Sequence, residues 1–494
     1  MKNIITKIVL LVACTTLFVA CSEEYFEVNT PSNTATLEEL RMQDLIAPVI
    51  HSTMEAQRSA ELSFGNYVQN FVSTGGGAAG QTTASGLWEQ VYLYVLPNLK
   101  VIKEKAIESN AIHIGAITDV LTAINIGIAT DTWDNIPYLD ATDGPDNNFP
   151  AFDTQEEIYT QIFILLDDAI SALESTDNSG FDLGSSDIIY GGDSDKWLRT
   201  AYTIKARYQL HLVNKGIMSA NDVIATISNG YTSTDDDFQM FYDDKNINPW
   251  YSVEVLARST GNFSNDIASQ LVSSMNGTYY PFQGSSVVID PRLPLFAEIP
   301  DEDIEYKGFV SGGLGVSPDG SDANTSFKTD GYYTSVDSPL MLISYAEAMF
   351  IKAEAEFLAN GGTTTSVGSN LAAYASYMEG IQASMDMYGV DGLDYLSDAS
   401  IAVEETGLML NHILKEKYIH NFLNPETFVD FRRYDFSEEV FKGLQMRLED
   451  SADSNEYSGE WFRRAEYPSV EISRNEANVL ANQKTPITPV WWDN

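Results

Sequence analysis

The feature that most constrains the fold of this chain is the recurrence of apolar residues at spacings of three and four. Such spacing places apolar side chains along one face of an α-helix, so each segment that carries it predicts a helix with one buried side. The pattern covers residues 37–56, 88–109, 112–130, 154–173, 195–213, 344–358 and 371–387. We therefore predict an all-α fold.

The last two of these helices are typical of a tetratricopeptide unit. Alanines within residues 344–358 leave room for a partner helix to approach closely, and residues 371–387 supply that partner. Residues 112–130 and 154–173 can pair in the same way. No strict repeat period is visible, so the prediction depends on the pairing of helices and not on a regular repeat.

The middle of the chain, residues 231–339, follows a different pattern. It is rich in Gly, Asn, Asp, Ser and aromatic residues and has no sustained period. We predict a long excursion of loops with few short strands. Loops of this length in a compact domain are usually functional, so we expect the ligand face here.

The N-terminus has the features of a lipoprotein export signal in the right order. Lys2 and Lys7 precede an apolar run over residues 8–20, and small residues lead directly into Cys21 and an acidic stretch. The run is too short to span a bilayer. We predict that residues 1–20 are a signal peptide that is removed and that Cys21 carries the lipid.

Two other interpretations of this segment stay open. Cys14 also ends a lipobox-like sequence, although cleavage there would leave a short apolar core, and an ordinary signal peptide could be cut near Ala20. A cysteine with several acyl chains would hold the mature chain firmly, because one chain alone gives marginal binding. Residues 21–38 are then a polar tether, and residues 39–494 are the body of the protein, which by its length could form several domains or one large helical domain.

Composition excludes several classes of partner and chemistry. No cysteine follows Cys21, so the body of the protein can form no disulfide and offers no thiolate nucleophile or metal ligand. The formal charge of −43, from 71 acidic and 28 basic residues, argues against nucleic acid and disfavours strongly anionic polymers. Neutral ligands fit this charge best.

Short motifs in a fixed order run along almost the whole chain. They are residues 21–24, 131–138, 190–197 with 207, 290–293, 345–347 with 353–355, 380–381 with 384–385 and 388–390, 415–418 through 432–433, and 463–464 with 467–468, 475 and 478. In this order they resemble the SusD/RagB family of outer-membrane nutrient-binding lipoproteins, particularly its second SusD-like group. No single motif is decisive, but their common order makes coincidence improbable.

The resemblance implies a mostly α-helical single domain with about four tetratricopeptide-like helix pairs. It also implies a lipid-anchored protein of the cell surface that caps a TonB-dependent, SusC-like outer-membrane transporter. Such a protein captures an oligosaccharide or another nutrient and releases it into the transporter. The resemblance implies no catalysis.

Several residues of the shared motifs are expected to build the scaffold. Trp133 follows a helix and is predicted to pack in a corner, while Asp134 or Asn135 bonds turn amides. Arg432 and Arg433 follow acidic residues, so we expect buried ion pairs in preference to an anion receptor.

Motifs of enzymes and metal sites are incomplete in this sequence. Residues 75–80 satisfy the glycine spacing of dinucleotide-binding loops but are followed by loop and not by a helix. His412, Glu416 and His420 could share one helix face, yet the sequence lacks the H-E-x-x-H pattern of zinc proteases. No G-x-S-x-G motif or phosphate loop is present.

No cofactor is predicted from these patterns. The acidic stretches at residues 140–146 and 235–237 could hold a structural calcium ion through oxygen ligands, but neither has EF-hand spacing. Solvated turns are the simpler interpretation of both.

Sugar binding needs flat aromatic faces beside side-chain amides or carboxylates. Two stretches supply this mixture, residues 66–71 and residues 243–251, with weaker candidates at residues 279–280 and 332–333. The predicted ligand-binding residues are Trp250, Tyr251, Asn248, Asp244, Tyr67, Gln69, Asn70 and Tyr332.

The sequence thus predicts a non-enzymatic surface lipoprotein that delivers an oligosaccharide to a transporter. Two alternatives belong to other classes. A helical-repeat adaptor would bind peptides or proteins on a concave helix surface, and a lipid-anchored glycoside hydrolase would need two carboxylates facing one pocket.

Overall fold

Long helices precede and follow a loop-rich middle of the chain. A computed structural model describes residues 39–142, 144, 147–448 and 457–493, so Cys21, the predicted tether and the signal peptide lie outside the described residues. The helices are α1 (Met42–Phe64), α2 (Ser85–Glu89), α3 (Leu96–Glu108), α4 (Ile112–Trp133), α5 (Gln155–Leu173), α6 (Ser194–His211), α7 (Ala220–Ile227), α8 (Ala257–Ser259), α9 (Ser269–Met275), α10 (Leu293–Phe296), α11 (Tyr345–Ala359), α12 (Leu371–Tyr388), α13 (Leu393–Ser397), α14 (Glu404–Gly407), α15 (Leu410–His420), α16 (Glu426–Arg433), α17 (Ser469–Arg474) and α18 (Glu476–Asn482). π-Helical segments follow α2 (Gln90–Val95) and precede α8 (Tyr251–Leu256).

Neighbouring helices pair along the chain as a tetratricopeptide-like fold requires. Extensive contacts join α4 to α5, α6 to α7 and α11 to α12. In α12, a side chain at Gly380 would meet the Phe350 ring of α11 at 2.7 Å, so glycine allows this close approach. The mostly helical, tetratricopeptide-like fold predicted from the sequence is confirmed.

Helix boundaries follow local chemistry where the sequence shows it. Asp193 accepts hydrogen bonds from the first free N–H groups of α6, and Thr154 caps α5 together with Glu157. The helix predicted over residues 37–56 ends too early, because α1 continues to Phe64. Polar residues such as Gln57 and Glu61 interrupt the apolar pattern of the sequence, although both are buried.

Four of the six described strands, β2 to β5, lie in the excursion. A four-stranded antiparallel sheet has the order β1 (Phe71–Ser73), β3 (Asn265–Ile267), β5 (Ser326–Phe327), β4 (Ala297–Glu298). β2 (Phe238–Met240) pairs separately with β6 (Leu340–Ile343). The larger sheet thus ties residues of the excursion to the loop that follows α1.

The core contains charged side chains as well as apolar ones. Arg433 pairs with Glu354 at 2.6 Å and with Asp430 at 2.9 Å, as the sequence predicted. Arg432 instead donates to the backbone oxygens of Asp131 and Arg463 and lies 3.9 Å over the Phe428 ring. The ion-pair prediction is therefore correct for Arg433 and wrong for Arg432.

In the corner after α4, the predicted packing of Trp133 is confirmed, but the amides that Asp134 and Asn135 bind lie in other segments and not in the turn. Trp133 is buried and its indole N–H donates to the backbone oxygen of Glu466. Asp134 and Asn135 accept from the backbone N–H groups of Trp491 and Gln155. By length and composition α4 could span a membrane, but 83 % of its most apolar window is buried inside the protein.

Candidate ligand-binding face

The strongest predicted ligand residue, Trp250, lies in the core. It is only 1 % exposed, and its ring packs at 6.1 Å from the ring of Phe71. Asn248 is also buried: its amide donates to the backbone oxygen of Ser338 at 2.8 Å and accepts from the N–H groups of Trp250 and Tyr251. Neither stacking of Trp250 on a ligand nor hydrogen bonding of Asn248 to one fits this burial. The Asn248 side chain instead stabilises the start of the π-helical segment.

The second predicted stretch is also buried and holds loops together. The Tyr67 hydroxyl donates to the Gly80 oxygen at 2.8 Å, and the Gln69 amide donates to the Gln445 oxygen at 2.7 Å. The Asn70 amide donates to the Glu61 carboxyl at 3.0 Å. The polar ends that were expected to face a sugar are therefore directed at the protein itself.

The other three predicted residues keep exposed surface. Asp244 is exposed, and Tyr251 is half-buried. Tyr332 is half-buried, with its ring against those of Tyr333 and Tyr388. Among the described residues, no hydrogen bond, ion pair or ring contact joins the three to one another, and ligand binding at them stays a prediction.

The residues of the metal hypothesis have other partners. Glu416 pairs with Arg292 and Lys415, and His420 hydrogen-bonds the hydroxyls of Ser344 and Ser384. Burial lowers the pKa of His420 to about 3, which keeps its imidazole neutral. Among the described residues, no three His, Cys, Asp or Glu side chains are placed to hold a metal ion together.

The acidic stretches of the calcium hypothesis differ in how fully they are described. Residues 140–146 lie partly outside the described residues. In the second stretch, Asp236 pairs with Arg199 at 2.8 Å, and Asp237 accepts from the N–H of Tyr345. These protein partners account for both carboxylates.

A groove of about 560 Å³ opens within the excursion, and we call it the excursion groove. Its walls come from α9 and its following turn, from residues 288–289, from residues 304–308 and from residues 317–319. Ile304 is 91 % exposed at its edge. The groove combines apolar surface with polar side chains, which a ligand pocket needs.

The polar side chains of the groove are held in place by the loops around them. The Asn276 side-chain amide donates to the backbone oxygen of Tyr306 at 3.4 Å and accepts from the backbone N–H of Thr278. The Lys307 ammonium donates to Ser321 at 2.8 Å and lies 3.7 Å from Asp319. Burial raises the pKa of Tyr306, so its hydroxyl stays protonated and can donate a hydrogen bond.

A hairpin formed by residues 307–324, the excursion hairpin, connects this groove to the glycine loop, residues 74–80. The Val310 N–H donates to the Val316 oxygen at 3.0 Å inside the hairpin. At its tip the Leu314 N–H donates to the Gly76 oxygen at 3.3 Å. The glycine run that resembled a nucleotide loop thus packs against this hairpin, and a side chain at Gly76 would meet the Gly315 nitrogen at 2.8 Å.

Sequence reasoning did not select the groove residues. Tyr306 stands alone among acidic residues, and no local pattern separates it from other tyrosines of the excursion. The groove lies wholly within residues 231–339, the excursion where the sequence predicts a ligand face, and ligand binding there stays a prediction.

Paired helices that support a loop-built groove define this protein as a tetratricopeptide-like binding protein. The family described as SusD-like, starch-binding and associating with the outer membrane matches residues 33–485. The chain belongs to this SusD-like family. No curated protein matches it significantly.

Solved structures share the fold at low sequence identity. A SusD/RagB family protein from Bacteroides thetaiotaomicron is 24 % identical, with a TM-score of 0.69 over 92 % of this chain and 99 % of that one. A chitin-binding SusD homolog from Flavobacterium johnsoniae is 21 % identical, with a TM-score of 0.69 over 92 % and 98 %. A SusD homolog from Bacteroides uniformis is 19 % identical, with a TM-score of 0.69 over 92 % and 99 %.

Proposed function

We propose that this protein is a surface-exposed, non-catalytic lipoprotein that captures an oligosaccharide in the excursion groove and delivers it to a TonB-dependent, SusC-like transporter. The observation that carries the proposal is the lining of the groove, where apolar surface lies beside amide, phenol and carboxylate groups. A sugar presents the same two surfaces, because its ring C–H groups are apolar and its hydroxyls form hydrogen bonds. Membership of the SusD-like family supports this ligand class.

The charges around the groove support a neutral cargo. Glu305 and Asp319 line it, and the exposed acidic residues 301–303 precede it. The positive charge of Lys307 is balanced by Asp319. An anionic glycan would meet like charges here, whereas a neutral one would not.

Binding can be measured by calorimetry on the chain from Ser22, with malto- and chito-oligosaccharides as ligands. Tyr306→Ala should lower the affinity about tenfold, because it removes an aromatic face and a hydroxyl from the groove. Tyr94→Ala, at an exposed site on the π-helical segment Gln90–Val95, is the matched control and should leave the affinity unchanged. Equal affinities of the wild type and Tyr306→Ala would contradict a site in the groove.

The same samples test the absence of catalysis. Product analysis after long incubation should recover glycans of the starting length. Shortened products would instead support the alternative of a lipid-anchored glycoside hydrolase.

Delivery to a transporter requires attachment to the outer membrane. Cys21→Ser should release the protein from cell envelopes, because the acyl chains then have no attachment point. Capture of a TonB-dependent barrel protein with the tagged wild type would support the transporter, and its absence from stabilised complexes would contradict it.

A further inference from the structure

Three asparagines of this chain are followed directly by glycine. They are Asn229, Asn276 and Asn360. In such a pair the backbone nitrogen of the glycine can attack the side-chain amide carbon of the asparagine, because glycine has no side chain to hinder the approach. The three pairs share this local chemistry, so a difference between them in the folded protein must come from the structure.

The peptide unit between Asn276 and Gly277 differs from the other two in its hydrogen bonds. In the pairs 229–230 and 360–361, the glycine N–H donates at 2.9 Å to the backbone oxygen of the residue three positions before it. Among the described residues, no hydrogen bond involves the N–H of Gly277 or the backbone oxygen of Asn276. This peptide unit can therefore rotate towards the side chain without losing a bond, whereas in the other two pairs a hydrogen bond must break first.

The side chain of Asn276 is held in the wall of the excursion groove. Its oxygen accepts from the backbone N–H of Thr278 at 3.1 Å, and its nitrogen donates to the backbone oxygen of Tyr306 at 3.4 Å. An N–H donor at the amide oxygen stabilises the negative charge that develops there when the amide carbon is attacked. The bond at the nitrogen is long and therefore weak, so it hinders the departure of that nitrogen little. One turn thus supplies both an unbonded backbone nitrogen and a polarised amide.

We propose that Asn276 and Gly277 form a self-modification site in the wall of the excursion groove. The Gly277 nitrogen bonds to the side-chain carbon of Asn276, and its proton passes through solvent to the amide nitrogen, which leaves as ammonia. The product is a five-membered succinimide ring. Water then adds to either carbonyl of this ring and opens it to aspartate or isoaspartate. The reaction consumes one water, releases one ammonia and changes no oxidation state.

The modification changes the groove in two ways. A carboxylate at position 276 cannot donate to the backbone oxygen of Tyr306, and it adds negative charge to a groove that Glu305 and Asp319 already line. Isoaspartate also lengthens the main chain by one carbon atom directly after α9. Both changes should lower the affinity of the groove for its ligand. This consequence rests on the proposed function, whereas the modification itself does not.

The test is peptide mapping by mass spectrometry, after incubation of the chain from Ser22 in mildly alkaline buffer. In the folded protein, Asn276 should change from amide to acid about fivefold faster than Asn229 or Asn360, because no N–H hydrogen bond has to break. Exposure alone predicts the opposite order, since Asn229 and Asn360 are exposed and Asn276 is half-buried. The same chain unfolded in guanidinium chloride is the matched control, and there the three rates should converge.

The outcomes separate this inference from the proposed function. A faster change at Asn229 or Asn360 in the folded protein, or an unchanged Asn276 where the unfolded chain reacts, overturns the modification site.

The effect on the groove is measured on the modified fraction, which anion exchange separates from the unmodified protein. It should bind the glycan that fresh wild type binds about tenfold more weakly. Incubated Asn276→Gln should bind as the fresh variant does, because its longer side chain does not close the five-membered ring. Equal binding by both wild-type fractions overturns the effect on the groove. If fresh wild type binds no glycan, the proposed function and this effect fail together, while the three rates still decide the modification site.

Discussion

The helical part of the molecule and the excursion hairpin use their charged residues in opposite ways. Around α15 and α16, Lys417, Asp430, Arg433 and Glu354 pair with one another inside the core. In the excursion hairpin, the Lys307–Asp319 pair lies at the surface, and backbone hydrogen bonds hold the loop. The comparison teaches that the helices determine the shape of the protein, whereas the loops are where polar groups remain accessible to a ligand.

The largest expected effect comes from breaking a buried ion pair. Arg292 is fully buried and contacts both Asp290 and Glu416 at 2.6 Å. Arg292→Met should lower the free energy of unfolding by about 4 to 5 kcal/mol, because Asp290 then loses its cation inside the core. Denaturant titration measures this.

The control for that prediction is an ion pair on the surface. Arg41 pairs with Asp44, and both are solvent-exposed. Arg41→Met should leave the denaturation midpoint unchanged, since exposed pairs contribute little. Similar losses in both variants would contradict the distinction between core and surface charges.

Trp250→Ala comes next and tests whether the main core extends into the excursion. Removing this buried ring should cost about 3 to 4 kcal/mol of unfolding free energy, because it leaves a cavity beside Phe71. Glycan affinity of the protein that remains folded should be unchanged. A loss of affinity with normal stability would restore Trp250 as a ligand residue.

The third prediction concerns the Glu61–Asn70 pair, which joins α1 to the start of β1. Glu61 is fully buried, and burial raises its pKa from 4.5 to about 8. Within the described part of the chain, one carboxyl oxygen of Glu61 and the amide oxygen of Asn70 have no hydrogen-bond partner. A protonated Glu61 could donate to that amide oxygen and complete an acid–amide pair.

The sign of its pH dependence follows from proton binding. Between pH 4.5 and 8 the unfolded chain loses the Glu61 proton while the folded protein keeps it, so this contribution to stability falls as pH rises. Glu61→Gln keeps both hydrogen bonds without a titrating proton. Its stability relative to the wild type should rise from pH 5 to pH 8 by about 1 to 3 kcal/mol in thermal or urea unfolding. A constant difference across this range would show that Glu61 is ionised in the folded protein.

Sequence patterns predicted the helices well because periodicity is a local property. They failed for Trp250, since its partner Phe71 is distant in the chain and an aromatic residue in a loop has the same local sequence whether it packs or stays exposed. For the same reason, the sequence does not separate Tyr306, which lines the excursion groove, from the other aromatic residues of the loops. Arg433 was predicted correctly because Asp430 lies one helical turn away, while the oxygens that Arg432 binds come from remote segments.

The excursion hairpin has a consequence for how relatives could diverge. Its tip touches the glycine loop through the backbone of Leu314 and Gly76, so that contact does not depend on the Leu314 side chain. The side chains of the turn can therefore be exchanged without changing the helix pairs. Relatives of this chain could therefore differ in the hairpin and still share the same helix pairs.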